Sequence, residues 1–279
     1  MYPLNSSVFR QRVYKSRGAA DIMERRRTKS PKLRQRRKSS EGGKMMNNGS
    51  TFSVNKAIVT GKVIGEIKES HKIFGEKFYE FTLEVPRLSS VTDLLPVTVS
   101  ERLLMEGGYK EGNKVTVRGQ FRSYNKSEGE RSKLILTVFA REMGPGEGVI
   151  NSIELAGYIC KAPVYRTTPF NREICDILLA VNRSYGKSDY IPAIAWGRNA
   201  RFVKYLSVGE QVAVTGRIQS RIYQKRIGED ETEERTAYEV SVGKVLAGDS
   251  AVEFMRAATG LPGESAERKT DDLSEITVI

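Results

Sequence analysis

One stretch of this chain is written twice, and that repetition narrows the possible folds more than any other feature. Asn55-Lys-Ala-Ile-Val-Thr-Gly61 returns as Asn151-Ser-Ile-Glu-Leu-Ala-Gly157, an offset of 96 from position 55 to position 151. At the same offset Leu83-Glu-Val85-Pro-Arg87 answers Leu179-Ala-Val181-Asn-Arg183, and Pro96 answers Pro192. After one inserted residue, Gly112-Asn-Lys-Val-Thr-Val-Arg-Gly119 matches Gly209-Glu-Gln-Val-Ala-Val-Thr-Gly216. Landmarks kept in step over so long a span mean two copies of one domain. The 279 residues then divide into four segments: 1–46, a first domain at 47–147, a second at 148–247, and a flexible acidic tail at 248–279. Met143-Gly-Pro-Gly-Glu-Gly148 reads as a short flexible linker between the copies.

Each copy reads as strands. Tyr79, Phe81, Leu83 and Val85 alternate with polar residues, and Cys175, Ile177, Leu179 and Val181 alternate at matched positions. Period-two alternation gives one packed face and one solvent face. Val115, Val117 and Phe121, then Val212, Val214 and Ile218, continue the pattern. Leu134 to Ala140 and Tyr238 to Val245 are candidate last strands. Gly61, Gly119, Gly157 and Gly216 fall inside strands, where glycine marks a bulge or a sharp bend. Asn199 to Leu206 reads as a helix after the third strand. Five strands with a helix in that place is the order of an OB-fold barrel. The predicted fold is all-β: two tandem five-stranded OB-fold barrels between a disordered basic N-terminal arm and an acidic C-terminal tail.

Charge divides the chain in the same way. Residues 1–46 carry a net +11, 47–247 a net +5 and 248–279 a net −4. Arg25-Arg-Arg27 and Arg34-Gln-Arg-Arg-Lys38 lack periodicity and are expected to be disordered. Three readings of this arm stay open: a sequence-independent grip on nucleic acid, a targeting peptide, or sequence upstream of true initiation at Met45 or Met46. No apolar run approaches the ~20 residues of a membrane helix, and no secretory segment follows Met1, so the expected place is the cytoplasm, at the nucleoid. Cys160 and Cys175 do not make a disulfide framework. With one histidine, His71, no metal site, catalytic constellation or cofactor is expected.

Asp176-Ile-Leu-Leu-Ala-Val-Asn-Arg183, Asp189-Tyr-Ile-Pro-Ala-Ile-Ala-Trp-Gly197 and Val208 to Arg221 follow one another at suitable spacing. Together, over about Asn151 to Val245, they closely resemble the bacterial single-stranded DNA-binding protein family; the first copy resembles it more weakly. The resemblance implies base stacking on Tyr185, Tyr190, Trp196 and Tyr223. The residues agree: Tyr190 and Trp196 are six apart on one strand and share a face, with Ile191, Ala193 and Ala195 turned to the core. Arg217, Gln219, Arg221 and Tyr223 share another face, opposite Ile218 and Ile222, and Arg198 flanks Trp196. Rings stack on bases while arginines neutralise phosphates. The plainer alternative is that such rings only pack a barrel rim. In the first copy Ser89, Leu94 and Ser100 replace three of the aromatics. Its fourth strand keeps Arg122, Tyr124 and Lys126, a weaker surface. Tyr79 and Phe81 are expected in the core, and Phe78 is ambiguous.

The expected function is non-enzymatic binding of single-stranded DNA in replication, recombination or repair. Alternatives are a primosome-like or scaffold protein whose barrels mediate assembly, and an RNA-binding protein. The resemblance also implies a homodimer with four OB domains. It suggests docking of replication or repair proteins on Asp271-Asp-Leu-Ser-Glu-Ile-Thr-Val-Ile279, although that tip lacks a final aromatic residue. No membrane partner is expected.

Overall fold

The computed structural model describes residues 54–128, 131–183, 186–227 and 231–259. The first repeat forms β1 (Val54–Ile73), β2 (Glu76–Pro86), β3 (Thr92–Ser100), helix α1 (Glu101–Gly107), β4 (Lys114–Glu128) and β5 (Arg131–Pro145). The second forms β6 (Asn151–Ile159), β7 (Val164–Thr167), β8 (Glu173–Asn182), β9 (Ser188–Trp196), α2 (Gly197–Val203), β10 (Gln211–Arg226) and β11 (Thr232–Ala247), followed by α3 (Asp249–Thr259). In the first ring the order is β1-β2-β3-β5-β4, closed by β4 against β1; in the second it is β6-β8-β9-β11-β10, closed by β10 against β6. β3 lies parallel to β5, and β9 to β11. Both are five-stranded OB barrels with the helix after the third strand, as expected.

Closing so small a ring takes sharp bends. The β4–β5 ladder slips between Arg118 and Gly119, and the β10–β11 ladder between Thr215 and Gly216. A Cβ on Gly119 would lie 2.0 Å from the Phe139 carbonyl oxygen, and one on Gly216 2.1 Å from that of Ser241. Only glycine admits that approach. The alternating residues fill the interiors: Val59, Phe81, Leu83, Val97, Phe121 and Val138 in one barrel, Leu155, Ile177, Leu179, Ile191, Val214 and Ile218 in the other. Each such side chain contributes about 1.5–3 kcal/mol of burial.

The barrels are not independent beads. β1 and β6 pair antiparallel from Val54↔Ala156 to Val59↔Asn151. Ala57 faces Ile153 in that ladder, and these two are repeat equivalents, so a local two-fold axis runs through the pair. The expected flexible linker is short and tied down. β5 reaches Pro145, Gly146 donates its N–H to Lys114 O (2.9 Å), and Thr60 donates to Ile150 O (2.7 Å).

Three expectations are corrected. The first strand of the second barrel is broken into β6 and β7, because Lys161-Ala162-Pro163 interrupts it and proline can donate no ladder bond. In the first barrel Gly65 (φ 70°) absorbs the same corner, and β1 runs on. Ile222 is 63% exposed rather than packed, since β10 there has left the barrel as one arm of a long hairpin with β11. And the segment expected to begin a flexible tail opens as α3. Its Asp249 and Arg256 suit the helix dipole. Its Ala251 and Met255, one turn apart, bury against Val54, Ala156 and Ala213. Lys56 Nζ donates to Ala258 O at the helix C-terminus (2.6 Å). The basic arm, Met45 and Met46, and the acidic tip lie outside the described residues.

Candidate nucleic-acid interface

The outer faces are oriented by a polar junction that the two barrels build reciprocally. Asp93 accepts from the Ser220 N–H (2.7 Å) and from Arg87 (2.6 and 2.8 Å), while Leu94 N–H donates to Ser220 Oγ (3.0 Å). Across the axis Asp189 accepts from the Ser123 N–H (2.6 Å) and pairs with Arg183 (2.9 Å), while Tyr190 N–H donates to Ser123 Oγ (2.7 Å). Both aspartates are fully buried. Asp189 Oδ2 and Arg183 Nε have no hydrogen-bond partner among the described residues. Burial pushes the Asp189 carboxyl above the usual aspartate range despite these donors. The junction fixes the start of β9, hence Tyr190, and the middle of β10, hence Arg221.

On the second barrel Tyr190 and Trp196 stand out from the ends of β9, 38% and 39% exposed. Six residues of strand put them about 20 Å apart. Pro192 and Ile194, on the same side, are buried together with Leu178 of β8, so the rings flank an apolar floor. Trp196 is also the N-cap of α2, with no side-chain bond to the helix. Arg198 is exposed in the first turn of α2. Arg221 lies 3.4 Å from Glu239 and 5.9 Å from the ring centre of the half-buried Tyr223. Gln219, expected on the open face, is buried and donates to Glu239 (2.8 Å). Arg217 is half-buried, 3.5 Å from Asp93, and its pKa is lowered by burial and by Arg87. It belongs to the junction as much as to the open face. Asp176 pairs with Arg166 (2.9 Å), and burial raises its pKa. Tyr185 lies outside the described residues.

The first barrel uses its outer side chains on itself. Arg122 lies 3.9 Å over the Phe139 ring and donates twice to Gln120 Oε1 (2.8 and 3.1 Å). Burial, with Arg141 and Arg183 near, brings its pKa down to about 10. Phe139 meets Phe78 (5.8 Å), which stacks on His71 (5.1 Å, 9°). Tyr124 donates to Glu80 (3.2 Å), and burial beside that carboxylate pushes its pKa up to about 12. Lys126 is exposed. Ser100, the counterpart of Trp196, caps α1 by accepting from Leu103 N–H (3.5 Å). Phe78, ambiguous in sequence, joins an outer aromatic cluster with Phe139. Tyr79 is half-buried against the core, and Phe81 is inside it.

Sequence reasoning missed the Asp–Ser–Arg junction. Its signal was present: Asp93 and Asp189, Arg87 and Arg183, and Ser123 and Ser220 are matched polar pairs in the two copies. Among the described residues no group of three or more His, Cys, Asp or Glu could hold a metal ion, and no helix is long and apolar enough to cross a membrane. Cys175 is buried, which raises its pKa to about 11, and Cys160 is partly exposed.

The model of the single-strand binding protein family matches residues 150–247. Single-stranded DNA-binding protein 1 of Staphylococcus aureus (strain COL) is 37% identical over 87 residues, 29% of this chain and 52% of that protein. The chain thus spans about half the length of that curated relative. The single-stranded DNA-binding protein of Caldanaerobacter subterraneus subsp. tengcongensis is 31% identical over 134 residues, 46% of this chain and 82% of that protein. Among solved structures, the wild-type single-stranded DNA binding protein from Thermus aquaticus superposes with a TM-score of 0.58 at 19% identity, covering 70% of this chain and 93% of that one; this likeness is one of fold. Taken with the repeat, the two closed barrels and the aromatic face of the second, the Caldanaerobacter match means that the chain belongs to the single-strand binding protein family.

Proposed function

We propose that this protein binds single-stranded DNA without sequence specificity, and that the second barrel carries the main contact. One observation supports this above the others. At the end of β9 the chain gives up a helix cap, worth about 1 kcal/mol, for an indole at Trp196 that is 39% exposed. Bases stack on Trp196, Tyr190, Tyr223 and Tyr185, each stack contributing about 1–3 kcal/mol with little regard to base identity. Arg198 and Arg221 take phosphates. Arg217 takes part from within the junction. Arg122, Tyr124 and Lys126 form the secondary surface of the first barrel. The reading assigns no catalysis and no cofactor; its settings are DNA replication, recombination and repair.

Two chains would form the working unit, giving four barrels, in the cytoplasm at the nucleoid. The acidic tip at 271–279 would meet replication or repair proteins. The test is fluorescence anisotropy of labelled oligo-dT with unlabelled competitors. Single strands should compete and duplex of equal length should not. Absence of saturable binding would favour the assembly-subunit reading, and preferential competition by RNA would redirect the function to RNA.

A further inference from the structure

Phe74 and Phe170 stand at the tips of the two equivalent hairpins, β1–β2 and β7–β8, at the offset of the repeat (74 to 170). Phe74 is fully exposed and Phe170 is 86% exposed. Neither ring takes part in the ring–ring or cation–ring contacts found among the described residues.

The backbone works against at least one of them. Ile73 pairs with Glu76, so the first loop is Phe74-Gly75, with φ of 48° and 87°. Positive φ at both central positions is the type I′ pattern, which favours Asn, Asp or Gly first. A phenylalanine there costs conformational energy, and no burial of the ring offsets it. Strain held without a packing return is found at functional positions. The second hairpin turns differently. Asn171 N–H donates to Thr168 O (2.9 Å), Thr168 N–H to Arg172 O (2.8 Å), and Asn171 takes the left-handed conformation (φ 56°). Two turns of different construction deliver a bare ring to the same place.

We infer that Phe74 and Phe170 are base-stacking residues, one per barrel, that carry a nucleic-acid strand beyond the platform around Trp196. The inference rests on the single-strand reading above. A protein-binding hot spot is a cluster of anchors ringed by neighbours that exclude water. Here the chain neighbours of one tip are His71, Lys72, Ile73 and Glu76, and those of the other are Thr168, Asn171 and Arg172, so neither forms an apolar cluster. A lone ring presents two π faces, which is what one base needs. The loop between the first two strands is also one that OB barrels turn toward oligonucleotides. Exposed Lys72 and Arg172 each stand two residues away to meet phosphates.

The test uses the full chain with Phe74→Ser, Phe170→Ser and the double variant, titrated with oligo-dT from a few nucleotides to several tens. Affinity for long oligomers should fall about 5- to 150-fold per lost stack, while short oligomers held by the Trp196 platform bind as before. Phe→Tyr at both tips should retain long-strand affinity. Phe74→Asn should raise the melting temperature, because asparagine suits the turn, and still weaken long-strand binding; that split separates a contact from a structural role. Unchanged affinity at every length overturns the inference while leaving the platform reading intact. A change in oligomeric mass with affinity preserved also overturns it, assigning the tips to protein contact. If the unmutated chain binds no single strand of any length, both readings fall.

Discussion

At the end of its third strand the first barrel places Ser100, whose hydroxyl caps the following helix; at the same point the second places Trp196, which caps nothing and exposes its ring. The contrast extends along both faces. In the first barrel Arg122 covers Phe139, His71 covers Phe78, and Tyr124 is tied to Glu80. In the second, Tyr190 and Trp196 flank an apolar floor on which, among the described residues, no aromatic ring stacks. One backbone thus carries two arrangements: the first barrel sets Arg122 and His71 on its outer rings, while Tyr190 and Trp196 of the second have neither a ring nor a cation stacked on them among the described residues. A duplicated fold lets the outer faces of its two copies diverge while both interiors stay filled.

The junction between them should be the most sensitive place, and it should be symmetric. Asp93→Ala and Asp189→Ala each leave a half-buried arginine and a serine N–H without their acceptor, so each should cost about 1–3 kcal/mol in urea unfolding. A severe loss from one and none from the other would break the symmetry. Their pH dependence sharpens the comparison. Because burial raises the Asp189 pKa, the folded state keeps a proton there that the unfolded state has lost. Stability falls as pH climbs from the usual aspartate range through the raised value. Subtracting the Asp189→Ala profile from that of the unmutated chain should show this slope.

Affinity should be asymmetric where stability is not. Trp196→Ala and Tyr223→Ala should each lose about 1–3 kcal/mol toward oligo-dT, whereas Tyr124→Ala, whose hydroxyl is held by Glu80, should lose less. Equal losses across the two barrels would erase the distinction. A finer division follows for the arginines. Arg198→Ala should flatten the slope of log affinity against log salt by about 0.7, one phosphate contact on a single strand. Arg217→Ala, half-buried beside Asp93, should chiefly lower the melting temperature and change the slope little.

Much of this was open to reading in the chain, because period-two alternation reports directly which residues a barrel buries. Leu179, Ile191 and Val214 read as inward on that ground, and Gly119 and Gly216 as bends. Alternation says nothing about what covers an outward residue. Pro192 and Ile194 therefore give no sign in sequence of forming a buried floor, Gln219 reads as exposed although it is buried, and Ile222 reads as packed although β10 leaves the barrel before it. Pro163 gave a local signal for the break after β6 that the repeat pattern masked. Helix α3 has a clear buried face at Ala251 and Met255, but the acidic balance of residues 248–279 outweighed it. The junction joins residues such as Asp93 and Ser220 that are far apart in sequence, and only the paired β1–β6 ladder brings them together.

The open stacking platform proposed for the second barrel includes Trp196, the single tryptophan of the chain, which reports on it without a label. Titrating the protein with unlabelled oligo-dT while following tryptophan emission should give saturable quenching, with no effect from duplex of equal length. Saturable binding of oligo-dT by anisotropy with Trp196 emission unchanged would contradict it.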